Sequence, residues 1–194
     1  MRHALPVRVD ATADGSPADP ELAPRGREQA LRLPAALALD RVDAVYASPA
    51  LRARQTAEPV LSAWGLGLTI EPGIAEFDTA DTSYVPVEEL RASNDPRWQL
   101  LASGDLYSAG VDPAAFRSRV VEAVERIVAA HPGGRAVLFT HAGTVNAYAG
   151  HVLSQQRTIW FGPAYCSITR IAAARGGRRG MVSVNETGHV RDLL

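Results

Sequence analysis

Leu138-Phe139-Thr140-His141-Ala142-Gly143 is the stretch that decides the fold, because an apolar run ends there on a histidine and passes into small residues. The residues Val137 to Thr140 predict a buried strand, and Gly143 to Leu153 predict a helix. Arg2-His3-Ala4 places a second histidine at the start of the chain. A histidine at the carboxyl end of a strand faces the ligand crevice of an open α/β sheet. The two histidines are therefore candidates for one shared site.

Strands and helices alternate on both sides of this stretch. Apolar spacing predicts helices of ordinary length between short strands, and a glycine-rich turn joins the last two strands. The predicted helices cover 24–39 (kinked by Pro34), 49–61, 86–92, 113–130 and 143–153, and the predicted strands cover 42–47, 68–71, 137–140, 165–172 and 180–185. This alternation predicts an α/β layered domain.

The size and the balanced charge of the chain exclude some function classes. With 20 basic and 21 acidic side chains the net charge is −1, so nothing global favours nucleic acid or a membrane as a partner. The 194 residues suit a single domain over 1–194. No secretory signal or run of about 20 apolar residues is visible, and Cys166 stands alone. We therefore expect a cytoplasmic protein without a disulfide framework.

Residues 77–111 lack sustained periodicity and combine acidic side chains with aromatic ones. This composition predicts a lid or cap that is inserted into the domain. Tyr84 and Trp98 are the candidates in this segment for contacts with a substrate. If the acidic side chains line the pocket, they repel a polyanionic substrate, whereas a sugar or aromatic phosphate is easier to accommodate.

Two features predict a local site for an anion. His141 directly precedes a helix, whose first backbone amides and dipole favour phosphate. Ser48-Pro49 predicts a helix start capped by Ser48, with Arg52 one turn into that helix. A guanidinium group matches two phosphate oxygens and stays charged at any working pH. In a chain without lysine, however, Arg52 taken alone is more typical of a solvated helix face than of an anion site.

Five ordered blocks of the chain resemble the signature of the histidine phosphatase superfamily, the phosphoglycerate-mutase-like group of branch 1 type. The blocks are Arg2-His3-Ala4, Leu22-Ala23-Pro24-Arg25-Gly26-Arg27-Glu28-Gln29-Ala30, Ser48-Pro49-Ala50-Leu51-Arg52-Ala53-Arg54-Gln55-Thr56-Ala57, Ile74-Ala75-Glu76 and Thr140-His141-Ala142-Gly143. The closing stretch from Val184 to Val190 is similar as well. The resemblance implies a three-layer α/β/α domain with a mostly parallel central sheet.

The resemblance also implies a role for each matched residue. His3 resembles the nucleophile that forms a phosphohistidine, and imidazole suits this role because its unperturbed pKa is about 6.5. Arg2, Arg52 and His141 resemble the group that holds the phosphoryl oxygens and offsets charge in the transition state. No metal ion or other cofactor is then required, because arginine and imidazolium replace its charge.

Glu76 resembles the general acid that protonates the leaving alkoxide. Asp78 and Asp81 lie close in sequence and stay open as alternative proton donors. The acid-phosphatase branch of the superfamily usually has an aspartate directly after the second histidine, where this chain has Ala142. The resemblance therefore favours the mutase-like branch, in which the acid lies upstream.

These residues together predict a metal-independent phosphatase that hydrolyses a small phosphomonoester through a phosphohistidine on His3. A small phosphorylated substrate is the expected partner, and we expect the protein to be a monomer or a homodimer. Three alternatives stay open: phosphoryl transfer of the phosphoglycerate-mutase type, dephosphorylation of phosphohistidine in proteins, and an inactive phosphate-binding or scaffold protein.

The chain departs from the family pattern near its start. Many members have a glycine after the first histidine and an asparagine a few residues later, where this chain has Ala4 and Val9. The first strand of such a domain should also include several apolar residues before Arg2, yet Met1 is the first residue. We therefore expect a recorded start that is late or a leading strand segment that is absent.

Overall fold

The computed structural model describes residues 1–103 and 110–194 and has a parallel sheet of three strands at its centre. Its strands are β1 (Ala44–Ala47), β2 (Leu68–Ile70) and β3 (Ala136–Phe139). The strand order is β2-β1-β3, and Ala47 at the end of β1 lies opposite both Ile70 and Phe139. All three strands end at one edge of the sheet, so the segments that follow β1 and β3 begin side by side.

A second sheet is the antiparallel hairpin of β4 (Ile168–Ala173) and β5 (Arg179–Glu186). The N-terminal segment connects the two sheets. The amide of His3 donates to the carbonyl of Thr140 (2.7 Å), and the carbonyl of His3 accepts from the amide of Cys166 (3.0 Å). His3 is thus held at the carboxyl end of β3, where the parallel strands end.

Helices pack on both faces of the central sheet. The α-helices are α1 (Pro24–Leu31), α2 (Leu33–Ala36), α3 (Leu51–Trp64), α4 (Val87–Ala92), α5 (Pro96–Ser103), α6 (Pro113–Ala130) and α7 (Ala142–Val152). The sequence marks several of their ends. Asp112 caps α6, because its carboxylate accepts from the amides of Ala114 and Ala115. Gly65 ends α3 with a φ of 65°, a left-handed conformation that glycine adopts without strain.

Alternate side chains of the central strands enter two apolar cores, because successive residues of a strand point to opposite faces. Val45 and Phe139 belong to the core shared with α1, α2 and α3. Tyr46 and Leu138 pack against the core formed with α6 and α7. This arrangement of helix, sheet and helix confirms the predicted three-layer α/β/α fold with a mostly parallel central sheet.

Two predicted helix starts and ends are wrong in detail. The helix expected over 24–39 is interrupted at Arg32, since Pro34 has no amide hydrogen to continue the helical bonding, and it ends at Ala36. Ser48 does not cap α3, whose N-cap is Ala50. The hydroxyl of Ser48 lies against His141 instead.

The predicted lid over 77–111 contains α4 and α5, and part of it, 104–109, falls outside the described residues. Val9 and Tyr84 exchange two backbone hydrogen bonds (2.8 and 2.7 Å), which tie the start of this segment to the N-terminal loop. The lid and the single-domain organisation stay predictions. In the described ranges, no helix is both long and apolar enough to cross a membrane.

Gly26→Ala is expected to destabilise the fold. A Cβ at this position in α1 would collide with the carbonyl oxygen of Leu5, which accepts a hydrogen bond from the amide of Ala23. The expected loss in the free energy of unfolding is about 1–3 kcal/mol, measured by chemical denaturation. Gly67→Ala is the matched control, because a Cβ there meets no atom within 4 Å. Equal losses in the two variants would contradict the prediction.

Candidate active site

His3 and His141 lie together at the carboxyl edge of the parallel sheet. Their ring centroids are 5.1 Å apart, with the rings inclined at 63°. The Nδ1 of His3 lies 2.8 Å from the carbonyl oxygen of Ala4, and since a carbonyl only accepts, Nδ1 carries the proton. The neutral ring then has its lone pair on Nε2, which is the atom left free for a nucleophilic role.

The surroundings favour the neutral form of both histidines. Burial lowers the pKa of His3 well below its ordinary value, and the positive charges of Arg52 and Arg2 lower it further. The hydrogen bond to the Ala4 carbonyl acts in the opposite direction. Burial, together with the same two arginines, also lowers the pKa of His141 well below its ordinary value. Both imidazoles are therefore uncharged at neutral pH.

Arg2 and Arg52 bring two buried guanidinium groups to the histidines, each residue being 4% exposed. The guanidinium carbon of Arg2 lies 3.6 Å from the ring centroid of Tyr165, and its Nη1 donates to the carbonyl of Pro163 (2.6 Å). The Nη2 of Arg52 donates to the carboxylate of Asp78 at 3.2 Å. These contacts hold both groups in fixed positions, since a guanidinium over an aromatic face is attracted to it.

Three buried nitrogens of this cluster have no hydrogen-bond partner within 1–103 and 110–194, namely Arg2 Nε, Arg52 Nε and His141 Nδ1. Buried donors are normally paired, because an unpaired one loses its hydration without compensation. Two permanent cations and an imidazole in this arrangement fit an anion with several oxygens, such as phosphate. We call Arg2, Arg52 and His141 the phosphate clamp.

Glu76 is buried beside the start of α7. Its Oε2 accepts from the amide of Gly143 at 2.7 Å, and its Oε1 accepts from the amide of Phe77 at 3.2 Å. Burial and then the negative charge of Asp78 raise the pKa of Glu76 to about 7. A carboxyl group with such a pKa can both give and take a proton near neutral pH. Glycine at position 143 leaves room for this carboxylate, since a Cβ there would collide with Oε1 of Glu76 unless the side chain moved.

The two alternatives to Glu76 occupy different surroundings. Asp78 forms an ion pair with Arg52, and burial raises its pKa while the charge of Arg52 opposes that rise. Asp81 is exposed to solvent. Among the three carboxyl groups, Glu76 is the one that is buried without an ion pair in the described residues and whose pKa is raised to about 7. These properties favour it as the proton donor.

The loop of residues 72–75 determines where Glu76 lies. Arg119 of α6 donates to three carbonyls of this loop (3.0–3.2 Å), and the hydroxyl of Thr140 donates to the fourth (2.7 Å). Thr140 also lies between β3 and His141, so one strand end positions both the carboxyl group and the second histidine. The role of Arg119 was not predicted, because it depends on how α6 packs against the loop.

The two aromatic candidates for substrate contact lie in different places. The ring centroid of Tyr84 is 4.8 Å from the guanidinium carbon of Arg52, and its hydroxyl is 3.4 Å from that of Tyr165. Trp98 is half-buried on α5, where its amide donates to the carbonyl of Asp95. Within the described part of the chain, no hydrogen bond or ring contact joins Trp98 to the phosphate clamp. The structure thus brings Tyr84, and not Trp98, to the clamp.

Ser48 and Tyr165 contact the clamp although neither contact was predicted. Ser48 Oγ lies 2.7 Å from Nε2 of His141, and the ring of Tyr165 packs on the guanidinium group of Arg2. The sequence did hold a signal for Ser48, because this residue directly follows β1 and strand ends meet at the ligand crevice. No comparable signal marks Tyr165, whose contact depends on the N-terminal segment lying beside it.

Over the described ranges, no three His, Cys, Asp or Glu side chains are grouped so that they could hold a metal ion. A cleft between α6, β3 and the β4–β5 hairpin reaches Thr140 but is not lined by His3. The site is therefore defined by the convergence of charged and unpaired polar groups.

Comparison with known proteins gives one family and one fold. The histidine phosphatase superfamily (branch 1) matches residues 1–187. A search of curated proteins finds no match.

Solved structures with this fold cover nearly the whole chain. A phosphoserine phosphatase mutant from Entamoeba histolytica, in complex with phosphoserine, has a TM-score of 0.74 and 20% identity over 97% of this chain and 96% of its own. A mycobacterial glucosyl-3-phosphoglycerate phosphatase in complex with VO3 has a TM-score of 0.74 and 21% identity over 95% of this chain and 96% of its own. Bacillus stearothermophilus YhfR has a TM-score of 0.74 and 20% identity over 98% of this chain and 100% of its own. At such identities the likeness establishes the fold.

The carboxyl group of Glu76 is expected to titrate near pH 7. As the pH rises from the ordinary value of 4.5, the unfolded chain releases this proton first, so the contribution of Glu76 to the free energy of unfolding should fall up to about pH 7, while His3 and His141, whose pKa values are lowered, contribute in the opposite direction. The expected decrease is on the order of 3 kcal/mol. Carbon NMR of labelled glutamate measures the titration, which Glu76→Gln assigns, and the difference in the free energy of unfolding between the wild type and Glu76→Gln across this pH range measures the decrease. An ordinary midpoint for Glu76 would contradict the prediction.

Proposed function

Because the chain belongs to the histidine phosphatase superfamily (branch 1) and is a phosphatase of that family, we propose that it hydrolyses a small phosphomonoester through a phosphohistidine on His3. The observation that carries the proposal is the set of unpaired nitrogens in the phosphate clamp, which lies beside a neutral histidine with a free Nε2. A buried anion site next to a nucleophile is what phosphoryl transfer to the protein requires.

In the first step, the lone pair of His3 Nε2 attacks phosphorus, and the bond from phosphorus to the ester oxygen breaks. The leaving oxygen takes the proton of Glu76, which a pKa of about 7 keeps on about half of the molecules at neutral pH. The proton on His3 Nδ1 stays on its hydrogen bond to the Ala4 carbonyl and keeps the ring oriented. The phosphate clamp donates to the phosphoryl oxygens as their charge is redistributed.

In the second step, water attacks phosphorus and the bond from phosphorus to Nε2 of His3 breaks. The carboxylate of Glu76 takes a proton from this water, which restores the acid for the next turnover. Inorganic phosphate leaves the clamp, and His3 regains its lone pair. Charge stabilisation comes from the two arginines, and neutral His141 adds a hydrogen bond, so the proposed cycle uses no metal ion.

The charges around the clamp support a substrate with one phosphoryl group. Glu88 Oε1 lies 3.7 Å from Arg2 Nη1, and Asp78 pairs with Arg52. A second phosphate near these carboxylates would be repelled. The ring of Tyr84 offers an apolar face next to the clamp, which suits a sugar or an aromatic alcohol. The phosphatases of similar fold are named for phosphoserine and glucosyl-3-phosphoglycerate, which each carry one phosphoryl group.

The same carboxylates weaken the alternative of a phosphoglycerate mutase. A mutase must retain a bisphosphate between its two half-reactions and exclude water. Asp78 and Glu88, placed at the two arginines, oppose the binding of a second phosphate group. Hydrolysis is therefore the function that the site supports best.

His3→Ala is expected to lower kcat/KM of phosphate release by about a thousandfold or more, because it removes the nucleophile. The measurement is release of inorganic phosphate from a panel of phosphomonoesters, with EDTA present throughout. His151→Ala is the control, since His151 is exposed near the end of α7. Equal rates for the wild type and His3→Ala would refute the assignment, and loss of wild-type activity in EDTA would refute the metal-free mechanism.

Glu76→Gln is expected to slow alkyl phosphates far more than p-nitrophenyl phosphate, because a stable phenolate leaves without a proton. The measurement is kcat/KM against the pKa of the leaving alcohol. In Glu76→Gln, kcat/KM should depend more steeply on the pKa of the leaving alcohol than in the wild type. In Asp78→Asn, kcat/KM should change by a similar factor for all leaving alcohols. The reverse pattern would make Asp78 the proton donor.

A further inference from the structure

Ser48 directly follows β1, and its buried hydroxyl forms a hydrogen bond with His141 of the phosphate clamp. We propose that Ser48 is a positioning residue, whose hydroxyl fixes the tautomer of His141 and so makes His141 Nδ1 the donor to the bound phosphoryl group. The inference rests on the proposed function, in which the phosphate clamp binds the phosphoryl group of the substrate.

The hydrogen bonds of Ser48 determine which atom donates. The amide of Ala50 donates to Ser48 Oγ at 3.3 Å, so the oxygen already accepts one bond. The second partner is Nε2 of His141 at 2.7 Å. Within 1–103 and 110–194, this nitrogen is the one acceptor within reach of the hydroxyl hydrogen of Ser48. Ser48 is fully buried, and a buried hydroxyl normally uses its hydrogen. Ser48 therefore donates to Nε2 of His141.

The tautomer of His141 follows from this donation. A nitrogen that accepts a hydrogen bond has its lone pair free, so the proton of the neutral ring is on Nδ1. Burial and the two arginines of the clamp lower the pKa of His141, so the ring is neutral and has a single proton to place. Nδ1 is buried and has no partner among the described residues. A donor without an acceptor thus lies beside Arg2 and Arg52.

The alternative tautomer would weaken phosphate binding. With the proton on Nε2, Nδ1 would direct a lone pair at a phosphoryl oxygen, and the two would repel each other. The hydrogen of Ser48 would also lose its acceptor inside the protein. Ser48 can impose the productive tautomer because it is itself fixed, since its amide donates to the carbonyl of Phe139 (3.0 Å) at the end of β3.

Nitrogen NMR of the wild-type protein labelled at histidine tests the tautomer without any substitution. At neutral pH, His141 should show a protonated Nδ1 and an unprotonated Nε2, and Nδ1 should shift on addition of inorganic phosphate. His141→Gln assigns the signals. A protonated Nε2 in the free protein would overturn the proposal, whatever the enzyme activity.

Ser48→Ala tests the consequence for binding and turnover. We expect about 10-fold to 100-fold weaker binding of inorganic phosphate and a similar fall in kcat/KM, because a buried acceptor loses its donor. Ser48→Thr retains the hydroxyl and should restore much of the loss. Ser167→Ala is the matched control, since Ser167 is also buried but its hydroxyl has no hydrogen-bond partner in the described residues.

A double-substitution cycle separates positioning from a general loss of folding. In the His141→Gln background, Ser48→Ala should cause little further loss of phosphate affinity, because glutamine has no tautomer to set. Additive losses would show that Ser48 acts independently of His141 and would overturn the proposal. Failure of the proposed function is recognised separately, by wild-type activity that does not depend on His3.

Discussion

Backbone pairing of the first residues with the segment that follows β3 is the contact on which the site depends. The amide of Thr140 donates to the carbonyl of Met1 at 2.9 Å, and His3 donates to the carbonyl of Thr140 at 2.7 Å. On the other side, the carbonyl of His3 accepts from Cys166. A segment bonded along both edges cannot slip by one residue without reversing its side chains. This register brings His3 to His141 and Arg2 to the ring of Tyr165.

Burial then shifts the pKa values of the histidines and of Glu76. Burial, and then the positive charges of two arginines, lower the pKa of both histidines, which leaves the imidazoles neutral. The same burial, with Asp78 nearby, raises the pKa of Glu76 to about 7. The proposed nucleophile thus keeps its lone pair and the proposed acid keeps its proton under the same conditions. A bound phosphoryl dianion would complete the arrangement by supplying oxygens to the unpaired nitrogens of the phosphate clamp.

Prediction from sequence worked where structure depends on local pattern. The helix of α6 and the strand of β3 follow from apolar spacing, and their bounds agree with the structure within a residue. Helix α5 was not predicted, since it contains no fully buried residue and so has no apolar stripe to recognise. The cap expected at Ser48 was wrong, because α3 begins only at Leu51, and the hydroxyl of Ser48 lies against a histidine 93 positions away.

The sequence by itself determined the alternation of strands and helices and the chemical types at the site, because periodicity and residue chemistry are properties of the chain. From Arg52 and Glu76 it also indicated phosphate chemistry, through a resemblance that extends over most of its length. Only the tertiary structure decided which nitrogen of each histidine is free and which carboxyl group is bonded to amides rather than to an arginine. These properties come from partners distant in sequence and from burial, and both exist only when the layers have packed together.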